Sequence, residues 1–286
     1  MTGEVDDDMA SQPQGGFDTR AQYPQTYSEK VISYLGTRNA GVDAAFLLPH
    51  LRAGMHLLDC GCGPGTITVG LAETVGPGRT VGIDFEPSQI EQARLLAAKL
   101  GLKRIGFLVA DAYELPFGSN TYDAVLAHTV LGNIQYPLRA LAEMYRVLKP
   151  GGVIGIRGHD QGTNIFSPDD PLLSEAHALY FKRWQHLGGD PFGARHSRAL
   201  LRQVGFVNIG ASASTEVWGT LEATRAWGEV FASVIESPTF CEQVITQGWA
   251  DRATLEQISR ALRAWGAHPD AFYARIYCEA IGWKPL

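Results

Sequence analysis

The sequence lacks the features that mark several large classes of protein. None of its apolar stretches approaches the roughly 20 residues that a membrane-spanning helix needs. It has no dense run of lysine and arginine, and its net charge is -6, which argues against nucleic acid as the main partner. Residues 1–20 contain no apolar run, so they do not have the pattern of a signal peptide. We therefore expect a cytoplasmic protein with no membrane span and no nucleic-acid partner.

Cysteine is scarce as well. The chain has four cysteines and no C-x-x-C spacing. Cys60 and Cys62 lie on a predicted strand-to-turn segment, where they are expected to be small packing residues. The sequence thus predicts neither a disulfide nor a metal site, which agrees with a reducing compartment.

A glycine-rich turn is the most informative feature that is present. The segment LLDCGCGPG, residues 57–65, has the pattern of a short apolar strand that breaks into a turn before a helix. Gly61, Gly63 and Gly65 leave no Cβ in the way, so a ligand can lie directly on the backbone. The helix that follows offers free N–H groups at the same point. We therefore expect a nucleotide-like cofactor at this turn.

The spacing of the glycines argues against a dinucleotide. The NAD fingerprint is G-x-G-x-x-G, whereas Thr66 stands where its third glycine would fall. The phosphate-loop pattern is missing too, because no lysine follows the glycines. Asp59, just before the turn, would repel a phosphate and would suit a ligand that carries an amino group. An NAD-dependent oxidoreductase is therefore disfavoured.

Short apolar segments alternate with helical patterns from residue 55 onward. This alternation predicts a parallel sheet that is covered on both faces by helices. Ser88 and Glu91 predict a capping box at the start of one of these helices. The predicted strands are 55–59, 80–84, 105–109, 124–128, 153–157, 206–211 and 272–281, and the predicted helices between them are 66–74, 88–100, 138–148 and 196–204.

The chain divides into four predicted parts. Residues 1–20 are expected to be disordered, and 21–52 form a helical cap. Residues 53–158 form the cofactor-binding core, and 159–286 complete the sheet and add substrate-binding helices. An aromatic-rich helix is expected within 160–190 and further helix across 216–266. The aromatic residues of these helices have two interpretations, core packing or a lid over an apolar substrate.

Acidic side chains follow successive strands of the predicted sheet. Asp59 ends the first strand, Asp84 the second, and Asp111 follows the third. Ligands of open α/β sheets bind at the carboxyl ends of the strands, and an acid about 20 residues beyond the glycines commonly binds ribose hydroxyls. Three acids that face a glycine turn fit an adenosine bearing an amino acid better than one bearing a phosphate.

Five segments in order resemble the motifs of class I S-adenosylmethionine-dependent methyltransferases: LLDCGCGPGTITVGLAE, VGIDFEPSQIEQAR, VADAYELPF, YDAVLAHTVL and RVLKPGGVIGI. They are most similar to the branch with the ubiquinone and menaquinone C-methyltransferases and many small-metabolite methyltransferases. The resemblance implies a Rossmann-like, doubly wound α/β fold whose seven-stranded sheet has an antiparallel last strand. It also implies an N-terminal helical cap, helical insertions after strands 5 and 6, and S-adenosylmethionine as cofactor.

The same resemblance assigns cofactor contacts to residues at the strand ends and in the cap. At the methionine part, Gly61, Gly63 and Gly65 would lie behind the ligand, Asp59 near its amino group and His128 near its carboxylate. Asp84 would hold the ribose hydroxyls, Phe85 would lie beside the adenine, and Asp111 and the backbone N–H of Ala112 would contact the adenine. Tyr27 and Arg38 would belong to the segment that closes over the cofactor.

The acceptor is predicted less sharply. Removal of a proton from an oxygen or an acidic carbon needs a base, and His128 and His159 are the candidates, although each could instead be structural. The aromatic content of the late helices favours a small, partly apolar, lipophilic metabolite that is methylated on carbon or oxygen. A fold relative that catalyses a cyclisation or rearrangement remains an alternative, as does a protein or nucleic-acid methyltransferase. A homo-oligomer is left open.

Overall fold

The computed structural model describes residues 28–286, and one twisted sheet forms its centre. The strands are β1 (Leu57–Cys60), β2 (Thr80–Asp84), β3 (Ile105–Val109), β4 (Tyr122–His128), β5 (Leu148–His159), β6 (Ile165–Ser167), β7 (Val207–Trp218) and β8 (Phe272–Trp283). The helices are α1 (Glu29–Leu35), α2 (Ala40–Asp43), α3 (Thr66–Val75), α4 (Pro87–Lys99), α5 (Pro137–Val147), α6 (Pro171–His186), α7 (Ser197–Val204), α8 (Leu221–Ile235), α9 (Pro238–Thr246) and α10 (Arg252–Gly266).

The order of the strands is β3-β2-β1-β4-β5-β8-β6, and β7 pairs with the other edge of β8. Strands β1 to β5 run parallel, and β8 runs antiparallel to its neighbours β5, β6 and β7. The predicted Rossmann-like α/β fold with an antiparallel last strand is thus confirmed. Within the described residues the sheet has one strand more than predicted, because 165–167 add the short β6 to the end of β8.

Continuous apolar strands explain why both faces of the sheet are covered. Leu57, Leu58, Val125 and Leu126 are fully buried, so neither face of β1 or β4 can meet water. One face packs against α5 and α7, and the other against α2 and α3. This packing leaves the carboxyl ends of β1 to β4 uncovered, so that a ligand can reach the backbone there.

A third apolar cluster lies over β7 and β8 and is rich in aromatic residues. It joins α6, α8, α10 and β8 through Trp184, Trp227, Trp265 and Tyr273. These rings are buried, which matches the packing interpretation of the aromatic helices. The predicted helix over 216–266 is wrong in detail, because Glu216 and its neighbours continue β7 opposite Arg275 and the rest divides into three helices.

Two local predictions at helix starts need correction. Helix α4 begins at Pro87, a residue pre-shaped for the first turn, and the Glu86 side chain accepts from the N–H of Ser88. The capping box at Ser88 is therefore wrong. In the cap, the predicted helical stretch divides into α1, α2 and a short 3-10 turn at Leu48–His50. Tyr27 and the predicted disordered segment lie outside the described residues.

None of the helices within residues 28–286 combines the length and the apolar character that a bilayer crossing requires.

Candidate cofactor and acceptor site

A cavity of about 360 Å³ lies at the carboxyl ends of the first four strands. The last residue of each of these strands lines it: Cys60, Asp84, Val109 and His128. It also collects nearly all of the described residues that were predicted to bind the cofactor, namely Arg38, Asp59, Gly61, Gly63, Phe85, Asp111 and Ala112. The topology therefore brings these widely separated positions to one wall.

The glycine turn has a backbone that other residues rarely adopt. The φ angles of Gly61, Gly63 and Gly65 are 78°, 53° and 80°. A Cβ on Gly61 would lie 2.3 Å from a methyl group of Val130, so the turn could not keep this path. Gly65 does not line the cavity; a Cβ there would lie 2.8 Å from Ala93, so this glycine serves the packing of α3 on α4.

Asp84 is held firmly at the end of β2. Its carboxylate accepts from the N–H of Gly63 at 2.9 Å and from the N–H of Glu86 at 3.0 Å. Burial raises the pKa of Asp84 above its ordinary range, although these two N–H groups oppose the rise. The carboxylate thus connects the glycine turn to the start of α4 and faces the cavity between them.

Asp59 is more deeply enclosed. It is 2% exposed, and its Oδ2 accepts from the hydroxyl of Thr68 at 2.7 Å. Burial raises the pKa of Asp59 to about 7, and the nearby charge of Asp84 adds to the rise. Asp111 lies at the other end of the acidic wall, where its Oδ1 accepts from the N–H of Tyr113. A ligand with positive charge near Asp59 would relieve this crowding of carboxylates.

His128 lies at the end of β4 in a buried ionic network. Its Nε2 lies 2.7 Å from Nη1 of Arg157, which also pairs with Asp43 at 3.0 Å. Burial is the main cause that lowers the pKa of His128 to about 4, so the ring is neutral at pH 7. Because Nε2 accepts from Arg157, the neutral ring carries its proton on Nδ1, 3.5 Å from the Thr129 hydroxyl. This geometry suits a donor toward a ligand better than a base.

Arg38 brings a guanidinium to the same region. Its Nη1 lies 3.4 Å from Oγ1 of Thr129, and its Cζ lies 5.5 Å from the centre of the Tyr34 ring. The cavity therefore has carboxylates along one wall and an arginine near the end of β4. This distribution matches a ligand that carries a cationic centre and a carboxylate.

Two amide side chains were not identified from the sequence. Gln89 is 1% exposed and lines the cavity, and both of its amide atoms lack a partner within the described protein. Oδ1 of Asn133 is also buried without a partner there, while its Nδ2 donates to the carbonyl of Thr129. Buried amide groups are normally hydrogen-bonded, so these atoms are ready for a ligand. The sequence feature that could have identified Gln89 is a glutamine on the face of α4 that carries its buried residues.

A second cavity of about 460 Å³ adjoins the first. The two share Thr129, Asn133 and Ile134. Thr129 has a φ of 55°, a backbone conformation that a β-branched residue rarely adopts, and such strain often accompanies a functional site. The remaining wall is mixed: Leu131, Ile156, Trp184 and Leu200 are apolar, whereas His159, Asp190, His196 and Gln203 are polar.

His159 belongs to this second cavity and not to the first. Its ring lies 5.5 Å from the Trp184 ring and 5.6 Å from the Tyr277 ring, and its Nε2 contacts the amide of Gln161. Burial, with the charge of Arg275 next, lowers the pKa of His159 well below its ordinary value. The structure thus places one candidate base at each cavity, His128 at the first and His159 at the second.

Comparison with known proteins agrees with this geometry. Residues 51–189 match the family described as Methyltransferase domain. The chain is 33% identical over 282 residues to the probable methyltransferase ltbC of Aspergillus luteorubrus, which covers 92% of this chain and 97% of that protein. It is 32% identical over 178 residues to demethylmenaquinone methyltransferase of Staphylococcus aureus, covering 56% of this chain and 70% of that one.

A solved structure shows the same fold. Phosphoethanolamine N-methyltransferase 2 of Haemonchus contortus, in complex with phosphomonomethylethanolamine and S-adenosylhomocysteine, aligns with a TM-score of 0.55 at 16% identity. The alignment covers 86% of this chain and 53% of that one, so this chain spans about half of that protein. The fold, the acids at the strand ends, the glycine turn and the relatives all indicate the same family. The chain belongs to the S-adenosylmethionine-dependent methyltransferases.

Proposed function

We propose that the protein transfers the methyl group of S-adenosylmethionine to carbon or oxygen of a small, partly apolar molecule. The observation that carries this proposal is the pair of adjoining cavities, which meet at Thr129, Asn133 and Ile134. Methyl transfer needs donor and acceptor in line and about 3 Å apart. The place where the two cavities adjoin is where the methyl donor and the acceptor would meet.

The first cavity is suited to the cofactor, which supplies an activated methyl group when bound. Asp84 and the unpartnered amide of Gln89 would hold the ribose hydroxyls. Asp59 would lie near the amino group, and Arg38, with Nδ1 of His128, near the carboxylate. Phe85 and Asp111 would contact the adenine at the outer end. The backbone turn fits a ligand without phosphate, because the adjacent groups are acids.

The second cavity is suited to the acceptor. Trp184, Leu131 and Leu200 offer apolar surface, while Oδ1 of Asn133 offers an acceptor for a hydroxyl of the substrate. The relative named demethylmenaquinone methyltransferase supports a partly apolar acceptor. His159 lines this cavity and would take the proton that methylation releases, through a ring that is neutral at pH 7.

The proposal is tested by methyl transfer itself. The purified protein is incubated with S-adenosylmethionine labelled in its methyl group and a panel of phenols, hydroquinones and enols, and products are analysed by mass spectrometry. We expect the label on carbon or oxygen of at least one member. Tight cofactor binding with conversion of a substrate but no transferred label would contradict the proposal and support a cyclisation or rearrangement.

Replacing Asp84 by asparagine is expected to weaken S-adenosylmethionine binding by ~1–3 kcal/mol, because charge-assisted hydrogen bonds to the ribose are lost. Titration calorimetry measures this change. Asp123→Asn is the matched control, since Asp123 lies at the opposite end of the sheet, where it pairs with Lys149. Equal affinities of the Asp84 variant and the unchanged protein would remove Asp84 from the ribose site.

Replacing His159 by asparagine is expected to lower turnover by ~10²–10⁴-fold and to leave cofactor affinity unchanged, as for loss of a general base. At saturating cofactor, the unchanged enzyme should keep its rate to lower pH than a histidine of ordinary pKa would allow, because burial lowers the pKa of His159 well below its ordinary value. His56→Asn, an exposed histidine just before β1 at the opposite end of the sheet, is the control and should keep its turnover. If His128→Asn instead abolishes turnover and His159→Asn does not, the base is misassigned.

A further inference from the structure

Helix α1 covers part of the cofactor cavity. Leu35 at its end and Arg38 just beyond line the cavity wall. The carbonyl of Leu35 accepts from the hydroxyl of Thr66, the first residue of α3, at 3.3 Å. On the side of α8, α1 is joined by an ion pair between the partly exposed Lys30 and Glu229. Surface pairs of this kind contribute little. The apolar contact of α1 comes from the buried Val31 and Leu35, which pack it on the aromatic-rich cluster.

A polar cluster lies between α1 and the last two strands, with Arg275 buried and Glu216 partly exposed. The Tyr34 hydroxyl donates to Oε1 of Glu216 at 2.9 Å and accepts from Arg275. Arg275, 2% exposed, donates to Oε2 of Glu216 at 2.7 Å. The hydroxyl of Tyr277 donates to the same oxygen at 2.9 Å. Side chains of α1 and β8 thus converge on one carboxylate of β7.

Aromatic rings enclose the guanidinium of this cluster. Its Cζ lies 5.0 Å from the centre of Trp218, 5.2 Å from that of Trp227 and 5.8 Å from that of Tyr34. Contacts of a cation with ring faces at these distances are favourable, and more so without water. The surroundings therefore fix Arg275 in one orientation.

The ion pair does not depend on α1. Glu216 and Arg275 are directly opposite each other on β7 and β8, so the sheet alone holds them together. Tyr34 of α1 binds this preformed pair from outside the sheet, and its hydroxyl can donate to Glu216 in only a few orientations of the helix. Because an ion pair of this kind, with Arg275 buried and Glu216 partly exposed, adds little net stability but has a fixed geometry, its effect is to define where the Tyr34 end of α1 sits.

Tyr34 also touches the residue that enters the cavity. Arg38 is four positions further along, and its guanidinium lies over the Tyr34 ring. We propose that the Glu216–Arg275 pair holds Tyr34, and through it Arg38, in position over the cofactor, so that Tyr34 and Glu216 are positioning residues for S-adenosylmethionine. This inference rests on the proposed function for the identity of the ligand.

The test removes only the Tyr34 hydroxyl. Tyr34→Phe is expected to bind S-adenosylhomocysteine about 5- to 10-fold more weakly by calorimetry and to release it faster in stopped-flow measurements, because the hydrogen bonds of the hydroxyl to Glu216 and Arg275 are lost. Tyr145→Phe, a tyrosine of α5 that packs on Phe206, is the control and should bind as the unchanged protein does. Equal affinity and equal release rate in Tyr34→Phe would overturn the proposal.

A double-mutant cycle separates positioning from a general structural role. If Tyr34 acts through Arg38, Tyr34→Phe should weaken binding no further once Arg38 is replaced by methionine. Independent effects that multiply would overturn the proposal, as would an Arg38→Met variant that binds normally. Hydrogen exchange of the α1 amides, expected to be faster in Tyr34→Phe, gives a second readout should that variant be less stable. If the unchanged protein binds no S-adenosylhomocysteine, the proposed function itself fails.

Discussion

Replacing Asp59 by asparagine is expected to stabilise the unliganded protein at pH 8 while weakening its binding of S-adenosylmethionine. The carboxyl is buried, and its pKa is raised from 3.8 to about 7 by that burial. The folded protein therefore keeps a proton on Asp59 that the unfolded chain releases between about pH 4 and 7. Stability falls across this window as the pH rises, and the full cost is present above pH 7.

The size of the gain follows from the same values. The difference between 3.8 and about 7 is equivalent to at most roughly 4 kcal/mol of unfolding free energy. Asparagine avoids this cost and can still accept from the hydroxyl of Thr68 through its carbonyl oxygen. A gain of this size would raise the melting temperature by about 5–10 °C. At pH 5, partway through this window, the advantage should be clearly smaller, and it should vanish only below about pH 4, where folded and unfolded chains are both protonated.

With cofactor bound, the unchanged protein should be more stable than Asp59→Asn, the reverse of the order without cofactor. S-adenosylmethionine carries an ammonium and a sulfonium group, and both favour an ionised Asp59. Its affinity for the unchanged protein should therefore increase as the pH rises through about 7, with release of a proton. Thermal unfolding at pH 5 and pH 8, with and without cofactor, measures both effects. A variant that gains equally at the two pH values, or that binds cofactor as tightly, would contradict this role.

The strand-end residues of the site were predictable from the sequence because they follow from topology. In a parallel sheet, every residue that ends a strand reaches the same edge. Asp59, Asp84, Asp111 and His128 could thus be placed together without knowledge of any side-chain contact. The strands 80–84 and 105–109 were predicted to the residue, since their apolar runs end sharply at turn residues.

Residues that depend on packing between distant segments could not be found in this way. Gln89 sits on α4 among apolar neighbours, and only the folded cavity shows that its amide has no partner. Arg157 and Asp43 are 114 positions apart, and no spacing rule connects them. The separation of His128 and His159 into two cavities depends on how the 188–203 segment lies against the end of β4.

Replacing Arg157 by methionine is expected to cost ~3–5 kcal/mol of stability at pH 7, the largest loss we anticipate for a single substitution. Arg157 is 2% exposed and pairs with Asp43 at 3.0 Å and with Glu279 at 3.3 Å. Its guanidinium also lies 3.6 Å from the centre of the Tyr277 ring. Methionine can occupy much of the volume, so the cost arises from two carboxylates left buried without a cation.

A second substitution distinguishes lost charge pairing from lost packing. Adding Asp43→Asn to Arg157→Met removes one of the stranded carboxylates, while the asparagine can still accept from the N–H of Asn39. The double variant should therefore be more stable than Arg157→Met alone, by urea unfolding at pH 7. Asp43→Asn in the unchanged background should be destabilising, because it removes the charged partner of Arg157. If the losses of unfolding free energy in the two single variants simply add in the double variant, Arg157 contributes through packing and its charge is not coupled to that of Asp43.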